Sequence, residues 1–275
     1  MVTLAEVLAD LRAESEALDG LVVRLSDVDW SRETPSVGWT VAHQIAHLAW
    51  TDRAATLAAS DRIEFFRLLG EAMDADPGSF VDRAAADGVS PPAELLARWR
   101  DGRDELAKAL TAVPPGEPIA WFGTSMSATS SATARMIETW AHGLDVTDTY
   151  AGDAGELGSA AKAHKQPTAR LRHICHLGYR TIGHSFSTHG RPLPTEQFRV
   201  ELSAPDGGLW AYGPEGADQR ITGPALDFCL LVTQRRHYAD LALQTEGDRA
   251  REWLTIAQAF AGLPGQGREP GQRHD

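Results

Sequence analysis

"SVGWTVAHQIAHLAWTDRAATLAAS", residues 36 to 60, decides how the rest of the chain is read. No glycine or proline interrupts it after Gly38, and Ser36 or Thr40 can cap its start, so it reads as a long helix. His43 and His47 lie four residues apart within it, in a stretch almost free of charge. A solvated helix face carries more charge than this, so at least one imidazole is expected to point inward. An inward imidazole needs a partner, because burying an unpaired polar group costs free energy.

Working outward, the same long helical pattern appears three more times. Apolar residues from Leu4 to Leu25 fall three or four apart, the stripe of an amphipathic helix. "SPPAELLARWRDGRDELAKALTAV", residues 90 to 113, opens on Ser90 as a cap with prolines in its first turn, and "PPGEP" ends it. "SATSSATARMIETWAHGLDVTDTY", residues 127 to 150, is the fourth, with Ser127, Ser130 and Ser131 read as caps. Residues 61 to 88 read as shorter helical pieces broken at the Asp-Pro-Gly of 76–78. Four long helices predict a bundle.

The pattern changes after about residue 190. "TEQFRVELSAPDGGLWAYGP" alternates around Phe198, Val200 and Leu202 and turns at "PDGG", which predicts a β-hairpin. "ALDFCLLVTQRRHYADL" reads as helix, "LALQTEG" as a short strand and "DRAREWLTIAQAF" as a closing helix, a small α+β domain. The stretch 166–184 reads as a helix joining the two parts. The expected organisation is a helical bundle over 1–160, an α+β domain over 161–262 and a disordered tail over 263–275, which is rich in Gly, Pro and charge.

Bulk composition narrows the function classes. The 275 residues carry a net charge of −12, with 43% hydrophobic and 23% charged residues. That is ordinary globular usage, and it argues against binding nucleic acid or an anionic membrane, which takes clustered Lys and Arg. No apolar run approaches the roughly 18 residues that span a bilayer, and the start lacks a signal-peptide core, so a cytoplasmic protein is expected. The two cysteines, Cys175 and Cys229, sit among apolar residues and read as buried thiols. Their number does not make a disulfide framework.

The chemistry concentrates in "ARMIETWAHGLDV", residues 134 to 146. Glu138 and His142 project from one helix face, one turn apart, close enough to share an ion. Imidazole nitrogen and carboxylate oxygen suit zinc or another divalent first-row metal. One histidine from 36–60 facing this pair would leave a coordination position open, the pattern of a catalytic site. All four residues together would close it. Spacing alone does not choose between these, or between either and a buried hydrogen-bonded pair. His173, His176 and Cys175 point in different directions on one helix, and His184 and His189 flank a turn. Trp30, Trp39, Trp50 and Trp140 read as core or pocket wall. No nucleophile elbow, P-loop or dinucleotide glycine pattern is present.

"GWTVAHQIAHL" followed by "ARMIETWAHGLDV" resembles the N-terminal domain of the mycothiol-dependent maleylpyruvate isomerase family, within the larger DinB-like group of metal-binding four-helix bundles. The resemblance implies His47, Glu138 and His142 as ligands of a divalent metal, zinc in expectation, with His43 outside the set and Asp145 orienting a ligand. "FRVELSAPDGGLW" and "ITGPALDFCLLVTQRRHYADLALQTEGDRA" are similar to that family's sterol-carrier-like α+β C-terminal domain. There an arginine at a helix end is implied to help at the active site, and Arg235 matches it. The family usually has a glycine before this arginine, where this chain has Gln234. "GPALDFCLLVTQRRH" and "IAQAFAGLPGQGR" also resemble an actinobacterial subgroup of that family.

The implied function is a metal-dependent enzyme that uses mycothiol, a low-molecular-weight thiol, as cosubstrate to attack a small electrophile. It would act as a thiol S-transferase or a cis-trans isomerase, and a homodimer is an assembly compatible with it. Two rivals stand beside it: a metal hydrolase that activates water at the same residues, and a non-catalytic small-ligand binding protein stapled by its metal, with a fourth ligand such as His43.

Overall fold

The computed structural model describes residues 2–74, 79–122, 124–262, 264–265 and 267–272. The chain divides after residue 165 into two compact units.

The first unit is helical. α1 (Leu4–Val22) starts in a reciprocal cap, with Thr3 Oγ1 accepting from the Glu6 amide and the Glu6 carboxylate accepting from the Thr3 amide. α2 (Val41–Ser60) carries the His43 and His47 stretch. α3 (Arg62–Asp74) and α4 (Phe80–Asp87) follow, and the Asp-Pro-Gly break expected at 76–78 lies outside the described residues. α5 (Pro92–Ala112) has Pro91 as its cap residue, so Ser90 is not the cap; its hydroxyl accepts from Arg98 instead. A two-stranded hairpin, β1 (Ile119–Trp121) and β2 (Thr124–Met126), leads into α6 (Ala128–Tyr150), which Ser127 caps through the Ser130 amide. α7 (Glu156–His164) packs back on α1 and α6.

α2 packs chiefly on α5 and α6, and α1 on α6. Most side chains of α2 and α6 are buried, which is why neither shows the one-sided apolar stripe of a surface helix. Alanines 42, 46, 49, 54, 55 and 58 let neighbouring helices approach α2 closely, and Leu18, Ile45, Leu48, Leu95, Trp99, Val146 and Tyr150 fill the core. The bundle thus places the polar faces of its two most buried helices against each other.

The second unit is α+β. α8 (Leu171–Arg180) and α9 (Ile182–Thr188) precede a four-stranded sheet. β3 (Phe198–Ser203) pairs antiparallel with β4 (Leu209–Tyr212), Leu202 opposite Trp210, through a turn in which Gly207 takes φ +84°. β5 (Gln219–Pro224) runs parallel to β3, and β6 (Gln244–Glu246) antiparallel to β5, giving the order β4-β3-β5-β6. Phe198, Val200, Leu202 and Ile221 are buried, on a sheet that α10 (Ala225–Val232) and α11 (Asp248–Leu254) contact. Cys175 of α8 and Cys229 of α10 are fully buried thiols 3.5 Å apart, and burial raises the Cys229 pKa well above the usual thiol range.

α10 stops sooner than its sequence suggests. The Gln234 amide donates to the Leu231 carbonyl (2.9 Å) and the Arg235 amide to the Leu230 carbonyl (2.8 Å), the paired bonds that close a helix through a left-handed residue. Gln234 is that residue, at φ +57°, the one non-glycine among the described residues with positive φ. Within the tail expected to be disordered, residues 263, 266 and 273–275 lie outside the description. The described remainder has no helix or strand, and the Gly271 amide donates to Asp240. Among the described residues no helix is long and apolar enough to cross a membrane.

Candidate metal centre

His47 of α2 and the Glu138 and His142 pair of α6 meet where the two helices cross-pack. Nε2 of each histidine lies 3.2 Å from the same oxygen, Oε2 of Glu138. A tetrahedral zinc with bonds of about 2.0–2.1 Å holds its ligand atoms roughly 3.3 Å apart, which matches both nitrogen-to-oxygen separations. His47, Glu138 and His142 are the one group among the described residues whose imidazole, thiol and carboxylate atoms converge in this way. The histidines are largely buried, while a quarter of the Glu138 side chain remains accessible.

The electrostatics favour a cation. Burial, and then the neighbouring His142, push the His47 pKa down to about 4, so its ring is neutral and offers a lone pair at neutral pH. Burial opposes ionisation of Glu138, but its close contacts with the His142 and His47 rings outweigh it and hold its carboxyl well below the usual range. Two imidazoles and one carboxylate suit a divalent first-row ion. Nδ1 of His47 is buried without a hydrogen-bond partner among the described residues, an atom whose other ring nitrogen must do the work of holding the ring.

His43 does not join them. Its Nδ1 accepts from the Thr40 amide (3.3 Å) and meets the Thr40 hydroxyl (2.8 Å), closing the α2 cap in the role a Glu or Gln normally takes. Asp145 is fully buried and accepts from Ser36 Oγ (3.0 Å), tying the loop before α2 to α6. Nδ1 of His142 instead meets Oε1 of Gln44 at 2.5 Å. The Gln44 amide nitrogen donates to Thr34 Oγ1 (2.8 Å), and the Thr34 hydroxyl donates to the Trp39 carbonyl (2.8 Å). Gln44 is absent from the sequence-level candidates; its position three residues before His47, on the same helix face, was the available signal.

A second polar pair underlies the site. Arg135, one turn before Glu138, donates Nε to Asp52 Oδ1 (3.1 Å) and an Nη to Thr51 Oγ1 (2.8 Å), and both members of the Arg135–Asp52 pair are 3% exposed. Burial pushes the Asp52 pKa up, against the pull of Arg135. Indoles supply the walls. The Trp39 ring stacks on His142 at 5.7 Å and its Nε1 donates to Asp82, while Trp50 contacts His47 and, beyond it, Phe80 and Phe122.

The remaining candidates lie in the second unit. His173 is buried in α8, His189 donates through Nδ1 to the Ser185 carbonyl, and His184 meets Thr188. Arg235 is half-buried and donates Nη1 to the Thr233 carbonyl, directly after the left-handed Gln234.

Known proteins resemble this chain over much of its length. The family described as mycothiol maleylpyruvate isomerase N-terminal domain matches residues 11–147, and one described as wyosine base formation matches 194–246. The chain is 51% identical over 261 residues to uncharacterized protein Rv0036c of Mycobacterium tuberculosis strain H37Rv, covering 94% of this chain and 97% of that one. It matches uncharacterized protein MT0041 of strain CDC 1551 to the same extent. The crystal structure of the mycothiol-dependent maleylpyruvate isomerase is similar at TM-score 0.56 and 16% identity, over 89% of this chain and 93% of that one. A histidine-to-alanine mutant of that enzyme is similar at the same TM-score and 17% identity. At such identities the likeness to the solved structures is one of fold.

Proposed function

The chain belongs to the mycothiol-dependent maleylpyruvate isomerase family, and on that footing we propose that it is a metal-dependent, mycothiol-using transferase or isomerase. The observation that carries the proposal is the convergence of His47 Nε2, His142 Nε2 and Glu138 Oε2 on one point. A divalent ion held there, zinc in the first instance, supplies Lewis acidity that favours thiolate over thiol at neutral pH.

The chain's own residues then divide the work. His47 and His142 offer lone pairs, and Glu138 offers the one negative charge. Three protein ligands leave room for the cosubstrate sulfur, and the engagement of His43 with Thr40 supports three rather than four. Trp39 and Trp50 flank the histidines as aromatic walls of the site. The mycothiol sulfur adds to an electrophilic carbon. Where that carbon belongs to a conjugated double bond, rotation about the new single bond and expulsion of the same thiolate give a cis-trans isomerisation. Where a leaving group departs with its electron pair, the thiol keeps the new carbon–sulfur bond and its proton goes to solvent. Arg235 is assigned the carboxylate of such a substrate, which a guanidinium can grip with two parallel hydrogen bonds.

Zinc content and X-ray absorption of the purified protein, with and without mycothiol, test this reading alongside Glu138→Ala. One equivalent of zinc in nitrogen and oxygen ligation, gaining a sulfur neighbour with mycothiol and lost in the variant, is expected. A site without metal, or one indifferent to the thiol, overturns it. Arg235→Gln should raise KM for a carboxylate substrate and leave the metal content unchanged.

A further inference from the structure

We infer that Gln44 is a positioning residue that fixes the tautomer of His142, making His142 and Glu138 the anchoring half of the site and His47 the half that yields first. The inference rests on the metal reading of the triad and goes beyond it, because it ranks ligands that the donor set alone leaves equivalent.

The Trp39 carbonyl can only accept. The Thr34 hydroxyl lies 2.8 Å away and donates to it, which leaves Thr34 Oγ1 as an acceptor. The Gln44 side chain meets that oxygen at 2.8 Å and must therefore present its NH2 group there, turning its carbonyl oxygen to the other side. That oxygen meets Nδ1 of His142, so Nδ1 carries a proton. In the neutral ring Nε2 is then a lone pair, and it faces Oε2 of Glu138 at 3.2 Å. Two lone pairs at that distance repel unless a cation lies between them. The relay is fully buried at Gln44 and is anchored by a backbone carbonyl, so water does not easily rewrite it.

His47 has no such partner. Its Nδ1 is buried and unpaired among the described residues, and its Nε2 reaches the same Glu138 oxygen. Without metal the favourable arrangement is a proton on Nε2, donated to Glu138, with the unpaired nitrogen left as an acceptor. To act as a ligand through Nε2, His47 must move that proton to Nδ1, where it leaves a buried donor unmet. His142 needs no such change. The same pattern of an acceptor behind a ligating imidazole is worth 10–100-fold in metal affinity elsewhere.

The test uses the full-length protein, stripped with a chelator, at pH 8. Long-range nitrogen–proton NMR reads imidazole tautomers directly, and competition with a chromophoric chelator reads the zinc Kd. In metal-free wild type His142 should be the Nδ1–H form and His47 the Nε2–H form. Gln44→Leu should mix the His142 tautomers and weaken zinc about 10–100-fold. Gln44→Glu, which keeps an acceptor in place, should bind within a few-fold of wild type. His142→Ala should lose more affinity than His47→Ala. His142 found as Nε2–H in the wild type, or Gln44→Leu and Gln44→Glu weakened alike, overturns the relay. A wild type with the expected tautomers that binds no zinc overturns the metal reading and the ligand ranking while upholding the relay.

Discussion

Acid should destabilise the metal-free protein through His47. The ring's pKa falls from the ordinary 6.5 to about 4 on folding, first because it is buried and then because His142 lies beside it. The unfolded chain therefore binds the His47 proton more readily than the folded one, and stability is lost as pH falls through the window between those values. Over the whole window the loss amounts to about 3 kcal/mol, and between pH 7.5 and 5.0 to about 2 kcal/mol. Glu138, whose pKa lies below its ordinary value, adds a loss of the same sign, but only at still lower pH. Urea unfolding in excess chelator at pH 7.5 and 5.0 measures the difference. His47→Gln removes the titrating group, so its two stabilities should lie closer together than those of wild type by about 2 kcal/mol. Equal pH dependence in the two proteins would refute the buried, neutral His47 described above.

Two further predictions concern the Arg135–Asp52 pair and the end of α10. Asp52→Ala strands the Arg135 charge in the core and should cost about 3–5 kcal/mol, whereas Asp52→Leu combined with Arg135→Met should come within about 1–2 kcal/mol of wild type; both are read by urea titration, and equal losses would show that packing rather than charge decides. Gln234→Gly relieves a left-handed L-residue at the end of α10 and should stabilise by up to about 1 kcal/mol, seen as a higher Tm; a fall in Tm would mean that the Gln234 side chain, which reaches the Ala257 carbonyl, contributes more than the strain removes.

The helical bundle followed by an α+β unit was legible because its signals are local. Long uninterrupted helical segments and a "PDGG" turn need no knowledge of distant contacts. Glu138 and His142 stood out for the same reason, as polar side chains in an apolar helix, whereas His47 was separated from His43 only by the family resemblance. β5 escaped because its inward positions are Gln219, Ile221 and Gly223, and a single apolar side chain makes no alternation. Gln219 is buried because its Oε1 accepts from the Ala250 amide at the start of α11, a partner thirty-one positions away. Gln44 and Asp52 were hidden in the same way, since their partners His142 and Arg135 lie on another helix. The end of α10 was overrun because a glutamine occupies the place where a glycine normally announces the stop. That stop also accounts for the one departure from the family pattern beside Arg235: the backbone conformation is the one glycine prefers, adopted here by another residue.

The close seating of α2 sets a rule for how the chain can change length. The same helix carries the cap at Thr40 and His43, the relay at Gln44, the ligand at His47 and the alanines on which neighbouring helices rest. Losing or gaining one residue between Thr40 and His47 turns everything beyond it by about 100°. The ligand would leave Glu138 at the same moment as bulky faces swung into the alanine seams. Insertions and deletions should therefore be tolerated in the turn at 113–118 and excluded from α2, so that homologues differing freely in sequence along this helix still keep its spacing to the residue.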